Sequence, residues 1–163
     1  MNKITVIGLD GELTPEVMSM AEKVGEDIAR SGCVLVCGGK RGVMEAACRG
    51  AKKAGGLTVG IVPSFDGSEA NEYVDVVIPT GMGYARNTLV VSSGDAVIAL
   101  NGSSGTLSEI AMALNYGRPV VVVEGSGGIA DRVKDAFPED DRVKGIIEAK
   151  AEDAVAKALE KII

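Results

Sequence analysis

Short apolar runs alternate with amphipathic stretches along nearly the whole chain. The runs at residues 4–9 (ITVIGL), 33–37, 57–62 (LTVGIV), 74–78, 95–100 (DAVIAL) and 119–123 (PVVVV) are rich in β-branched residues and read as strands, most of them buried on both faces. Between them apolar positions recur at helical spacing. The stripes are Val17, Met20/Ala21, Val24, Ile28; then Val43, Ala46/Ala47, Gly50/Ala51, Ala54; then Leu107, Ile110/Ala111, Leu114; and last Val155, Leu159, Ile162. Thr14 before Pro15 and Glu16 reads as an N-cap, a proline in the first helical position and a carboxylate suited to the helix dipole. Gly32 and the Gly55-Gly56 pair read as helix stops. Residues 146–149 read as a last edge strand and 152–162 as a closing helix.

Three segments break the alternation. Residues 63–73 (PSFDGSEANEY) are polar and turn-rich, and read as a loop or a partly ordered flap. Residues 124–128 (EGSGG) read as a strand-end loop, either a mobile linker or part of a ligand rim. Residues 131–144 hold a short helix and an acidic turn at 138–141, read as solvated surface.

Strand and helix in strict alternation imply a single three-layer, Rossmann-like α/β domain over residues 1–163, with a mainly parallel sheet of about seven strands and right-handed crossovers. Ligands of such sheets bind at the carboxyl ends of the strands, where the strand order reverses. The glycine-rich turns after the first, second and fifth strands all fall at that end. They contain Gly8 and Gly11; Gly38, Gly39 and Gly42; and Gly102 and Gly105. None is G-x-G-x-x-G, which argues against an ordinary dinucleotide enzyme.

Composition narrows the chemistry. The chain is 46% apolar with 22 glycines and a formal net charge of −6, an acidic balance that argues against a nucleic-acid partner. Nothing resembles a signal peptide or a membrane span, so the expectation is a soluble, cytoplasmic protein. There is no histidine, which removes the commonest general base and metal ligand. Cys33, Cys37 and Cys48 lack a zinc spacing and read as buried, reduced thiols. No metal site is expected.

The sharpest signal is residues 101–109 (NGSSGTLSE). A small-residue turn between a buried strand and a helix start offers unpaired N–H groups and a positive dipole end, and Ser103, Ser104 and Thr106 add hydroxyls. That suits a phosphate, with Glu109 one turn along to face it. Lys40 and Arg41 could reach a phosphate but read as a solvated pair. Asp10 suits a ribose hydroxyl or an ordinary turn equally well. Met18, Met20 and Met44 read as packing, while Met82 between two glycines reads as a pocket residue.

Residues 100–109 (LNGSSGTLSE) resemble the P-G-G-x-G-T-x-x-E signature of the LOG (Lonely Guy) family, which also carries the label "lysine decarboxylase". Residues 37–63 (CGGKRGVMEAACRGAKKAGGLTVGIVP) and 81–87 (GMGYARN) extend the likeness to the whole chain. It is nearest to a short bacterial and archaeal branch that is also similar to molybdenum cofactor carrier proteins. The resemblance implies release of a base from a nucleoside 5′-monophosphate, with Arg86 and Glu109 catalytic and Gly102, Ser103, Gly105 and Thr106 around the phosphate. Gly8, Gly11, Gly38, Gly39, Gly42, Met82, Asn87 and Ser104 complete the expected ligand-binding set. The alternative it implies is a non-catalytic carrier of molybdenum cofactor, a pterin phosphate, or a nucleotide sensor. No cofactor is required in either case, and the resemblance implies a homo-oligomer, dimer or tetramer.

Three departures stand out. Asn101 replaces the motif's proline, Ser103 its second glycine, and Asn87 the lysine that usually follows the arginine. Without histidine, protonation of a departing base falls to Arg86, Tyr84 or water, none a strong acid near neutrality. No lysine sits in a recognisable pyridoxal phosphate context, so the decarboxylase label has no support from the residues.

Overall fold

The computed structural model describes residues 1–162. Its seven strands are β1 (Lys3–Gly8), β2 (Val34–Cys37), β3 (Thr58–Val62), β4 (Val76–Pro79), β5 (Ala96–Leu100), β6 (Val120–Val123) and β7 (Ile147–Ala149). They form one sheet in the order β4-β3-β2-β1-β5-β6-β7, with every pairing parallel. The order reverses between β1 and β5, so the turns after β1, β2 and β5 lie side by side at the carboxyl end of the sheet.

Helices cover both faces. Alternate strand residues feed two separate cores: Ile4, Val6, Leu35, Cys37, Ile98 and Leu100 pack under α1 (Pro15–Arg30), α2 (Val43–Lys53) and α7 (Ala151–Leu159). Ile7, Val34, Val36, Val97 and Ala99 pack under α3 (Asn87–Ser93) and α4 (Ser104–Asn115), with α5 (Val133–Ala136) and α6 (Asp141–Lys144) at the margin. α1 and α2 touch backbone to backbone: a Cβ on Gly25 would lie 1.9 Å from Ala47 O, and one on Gly50 2.0 Å from Glu22 O. Thr14 caps α1 as expected, its hydroxyl accepting from Val17 N at 3.3 Å.

The differences from the sequence expectation have local causes. β4 starts at Val76 rather than Val74 because Val74 turns inward onto the first core, while Asp75 is drawn to the start of β3 and accepts from Thr58 N at 3.0 Å. A 3₁₀ turn, Gly83–Arg86, runs directly into α3. The segment at 63–73 is tied down by Asn71, which donates to Gly39 O through its backbone N (2.8 Å) and to Lys40 O through Nδ2 (2.7 Å). The 124–128 segment is not a loose linker. Ser126 is buried, donates to Val123 O and accepts from Asn101 N. Among the described residues no helix is long and apolar enough to cross a membrane.

Candidate functional site

The turns after β1, β2 and β5 enclose one open cavity of about 780 Å³. Its walls include Gly8 and Asp10 from the first turn, Gly38 and Lys40 from the second, and Ser103, Ser104, Gly105, Thr106 and Glu109 from the third. Tyr84, Arg86 and Asn87 close another side.

The start of α4 is the polar pole of this cavity. Ser104, Gly105 and Thr106, expected in the turn, are the first residues of the helix itself. Leu107 N bonds to Ser103 O, whereas the backbone N–H groups of Ser104, Gly105 and Thr106 have no partner among the described residues. Unpaired donors at a helix N-terminus form a ready anion cradle. The chain enters it through Asn101, held at φ 53°, a left-handed conformation closed to proline, whose ring fixes φ near −65°. Asn101 Nδ2 donates to Ser126 O at 2.7 Å and its Oδ1 accepts from Gly102 N at 2.6 Å. Asparagine therefore stands where the motif has proline because the turn is built on a side-chain latch to the β6 loop.

Glu109 sits one helical turn further on, 8% exposed, and no hydrogen bond reaches its carboxyl group among the described residues. Burial pushes its pKa up to about 7, and the positive charge of Arg86 draws it back only in part. A carboxyl group that titrates near neutrality can both donate and accept a proton. Glu109 thus joins Arg86 and Tyr84 among the groups of the cavity able to exchange a proton.

Arg86 is buried and its guanidinium is spoken for on several sides. Nε donates to Ile61 O at 2.9 Å, Nη2 reaches Gly38 O at 3.4 Å, and Nη1 donates to Asn87 Oδ1. It ties the ends of β2 and β3 to the start of α3 while presenting its charge to the cavity.

Gly11, Gly39, Gly42, Gly102 and Met82 do not line this cavity. At the second glycine turn the head of α2 is partly filled, since Val43 N donates to Leu9 O at 2.9 Å. A Cβ on Gly42 would lie 2.1 Å from that same oxygen, and one on Gly102 2.3 Å from Thr106 Oγ1. At Gly42 and Gly102 the missing side chain makes room for close packing. Met82 is exposed and outside the lining, whereas Met44, read as packing, and Met112 both reach the wall. Ser108 and Met112 escaped the sequence reading, yet the signal was present: they continue the face of Ser104 at intervals of one helical turn. Lys40 and Asp10 form an ion pair at 3.0 Å on the rim. Among the described residues no group of three or more Cys, Asp, Glu or His side chains is spaced to hold a metal ion.

Residues 1–155 match the SLOG cluster4 family. The chain belongs to this family. A cytokinin riboside 5′-monophosphate phosphoribohydrolase of Mycobacterium tuberculosis is 33% identical to it, over 67% of this chain and 63% of that enzyme, so the chain spans less than two thirds of that relative. An uncharacterised protein of Archaeoglobus fulgidus is 47% identical over 76% of this chain and 84% of its own length. Among solved structures, the molybdenum cofactor binding protein of Rippkaea orientalis superposes with a TM-score of 0.88 at 36% identity, covering 99% of this chain and 96% of that one. The molybdenum cofactor carrier protein of Chlamydomonas reinhardtii gives 0.85 at 32%, covering 99% and 98%. This SLOG cluster4 protein thus resembles both groups that its sequence suggested, and it shares the α/β architecture of the molybdenum cofactor proteins.

Proposed function

We propose that the cavity binds a phosphorylated nucleotide-like ligand and that the protein is a nucleoside 5′-monophosphate phosphoribohydrolase. One observation carries this reading: three unpaired N–H groups at the head of α4 and the unpartnered carboxyl of Glu109 open into the same cavity. The phosphate lies against the N–H groups of Ser104, Gly105 and Thr106 with the hydroxyls of Ser103 and Thr106 beside it. The ribosyl–base bond then lies over Glu109. Its cleavage passes through an oxocarbenium-like state that the ionised carboxylate of Glu109 stabilises while it positions and deprotonates the water that adds to the sugar carbon, and the proton so gained passes on to the departing base. Arg86 adds positive charge without a mobile side chain.

The test is incubation with a panel of nucleoside 5′-monophosphates, following free base by chromatography. Wild type should release base. Glu109→Gln should lose roughly 100-fold or more in rate while keeping its ligand-induced rise in melting temperature. Arg86→Ala should also lose activity.

A second reading is a non-catalytic carrier of molybdenum cofactor, or a nucleotide sensor. It is favoured by the locked guanidinium of Arg86, which leaves few donors for a reaction, and by likeness to the carrier proteins over almost the whole chain. The α4 cradle suits the phosphate of a pterin phosphate as well as that of a nucleotide. Stoichiometric binding without base release would decide for this reading. A homo-oligomer, dimer or tetramer, is proposed with either activity, supported by the exposed apolar band of Phe65, Val76, Val77 and Ile78. A cytoplasmic setting is supported by the free thiols of Cys33, Cys37 and Cys48.

A further inference from the structure

Past its Lys40 rim the main cavity meets a second, polar cleft of about 480 Å³ whose walls include Arg41, Glu45, Glu69 and Glu72. Asp10 and Lys40 line both spaces, so their ion pair is the partition between them. The pair is weakly held, because both side chains are partly exposed, 43% for Asp10 and 33% for Lys40. The backbone beneath is firmly held, with Gly39 O and Lys40 O both accepting from Asn71. Lys40 can therefore swing its side chain without moving the turn that forms the main cavity.

The cleft is mixed in charge. Neither the carboxylates of Glu45 and Glu72 nor the guanidinium of Arg41 has a hydrogen bond or ion pair among the described residues. Glu69 is used in part, accepting from Ser64 N at 2.8 Å. Carboxylates accept from hydroxyl groups, and a guanidinium donates to their oxygens. A second phosphate would be repelled by three carboxylates, whereas an uncharged, hydroxyl-rich group would be met on every side. The ends of β2 and β5 are two strand spacings apart, about 10 Å. A mononucleotide held at α4 therefore leaves the Lys40 end open.

We propose that the site takes a two-lobed ligand: a nucleotide extended through its phosphate by a second, uncharged sugar that occupies the cleft beyond the Asp10–Lys40 pair. On binding, Lys40 exchanges Asp10 for the phosphate linkage, and Asp10 accepts a hydroxyl of the second sugar, so neither charge is left unpaired. The proposal rests on the phosphate-binding reading given above.

The experiment is calorimetric titration of adenosine 5′-diphosphate and of adenosine diphosphate glucose, which differ by the sugar, each into wild type and a Glu45→Gln/Glu72→Gln double variant. Wild type should bind the sugar nucleotide at least about tenfold more tightly than the diphosphate. In the double variant most of that advantage should vanish, with affinity for the diphosphate not lowered. Equal affinity of the two ligands for wild type would overturn the proposal and leave phosphate binding standing, and so would an advantage that survives the double variant. Failure of both nucleotides and of inorganic phosphate to bind would remove the phosphate reading, and this proposal with it.

Discussion

Glu109 destabilises the folded chain whenever it is charged. Its folded pKa of about 7 lies above the ordinary carboxylate value of 4.5, so between those values the native state binds more protons than the unfolded one. The contribution of Glu109 to stability is then greatest below pH 4.5 and falls as pH rises through 7, by roughly 3 kcal/mol over the window. Glu109→Gln removes the ionisation and should stabilise the protein at pH 8 by ~2–3 kcal/mol more than at pH 5, read from urea unfolding of both proteins at the two pH values. An equal effect at both would mean that the carboxyl is not desolvated. The position of Glu109 was legible in the sequence, since a helix places it one turn from the signature glycines. Its perturbed acidity was not, because the burial that causes it comes from segments far away along the chain, such as the Gly38 turn and the Tyr84–Asn87 segment.

At the scale of the elements, the glycine turns taught a mixed lesson. Three of them were expected at the ligand, and they present their donors unequally. What separates them is tertiary: Leu9 O takes Val43 N, the first N–H of α2, whereas the N–H groups of Ser104, Gly105 and Thr106 at the head of α4 all have no partner among the described residues. A string of glycines cannot reveal which neighbour will arrive. The latch between Asn101 and Ser126 was equally hidden, because 25 residues separate its halves. It makes a clear prediction. Asn101→Pro restores the family motif but demands a φ near −65° where the chain holds 53°, and it removes the bonds to Ser126. The variant should lose about 2 kcal/mol or more in chemical denaturation, and with it the ligand-induced thermal shift. A variant as stable as wild type would show that the turn can rearrange to the family's geometry.

At the scale of the whole molecule, the alternation of strands and helices made the layered, parallel architecture legible, and the position of the site followed from it. Less legible was the outer edge. β4 reads in sequence like any buried strand, but it is the last strand on its side, and Val76, Val77 and Ile78 are 44%, 38% and 42% exposed. Phe65 beside them is 86% exposed. Periodicity identifies a strand without telling whether another strand or helix will cover it. Uncharged edges with exposed apolar side chains invite association unless something covers them, and β4 carries only Pro79 as a guard. A second copy of the chain is the cover proposed here. Size exclusion with light scattering should then give a multiple of 16.7 kDa at micromolar concentration. Val77→Lys should shift the population toward the single chain and make melting depend less on protein concentration, since an oligomer is stabilised by mass action and a lone chain is not. A wild type that runs as a single chain, with melting independent of concentration, would refute the assembly and leave the exposed edge to be explained by its own short length.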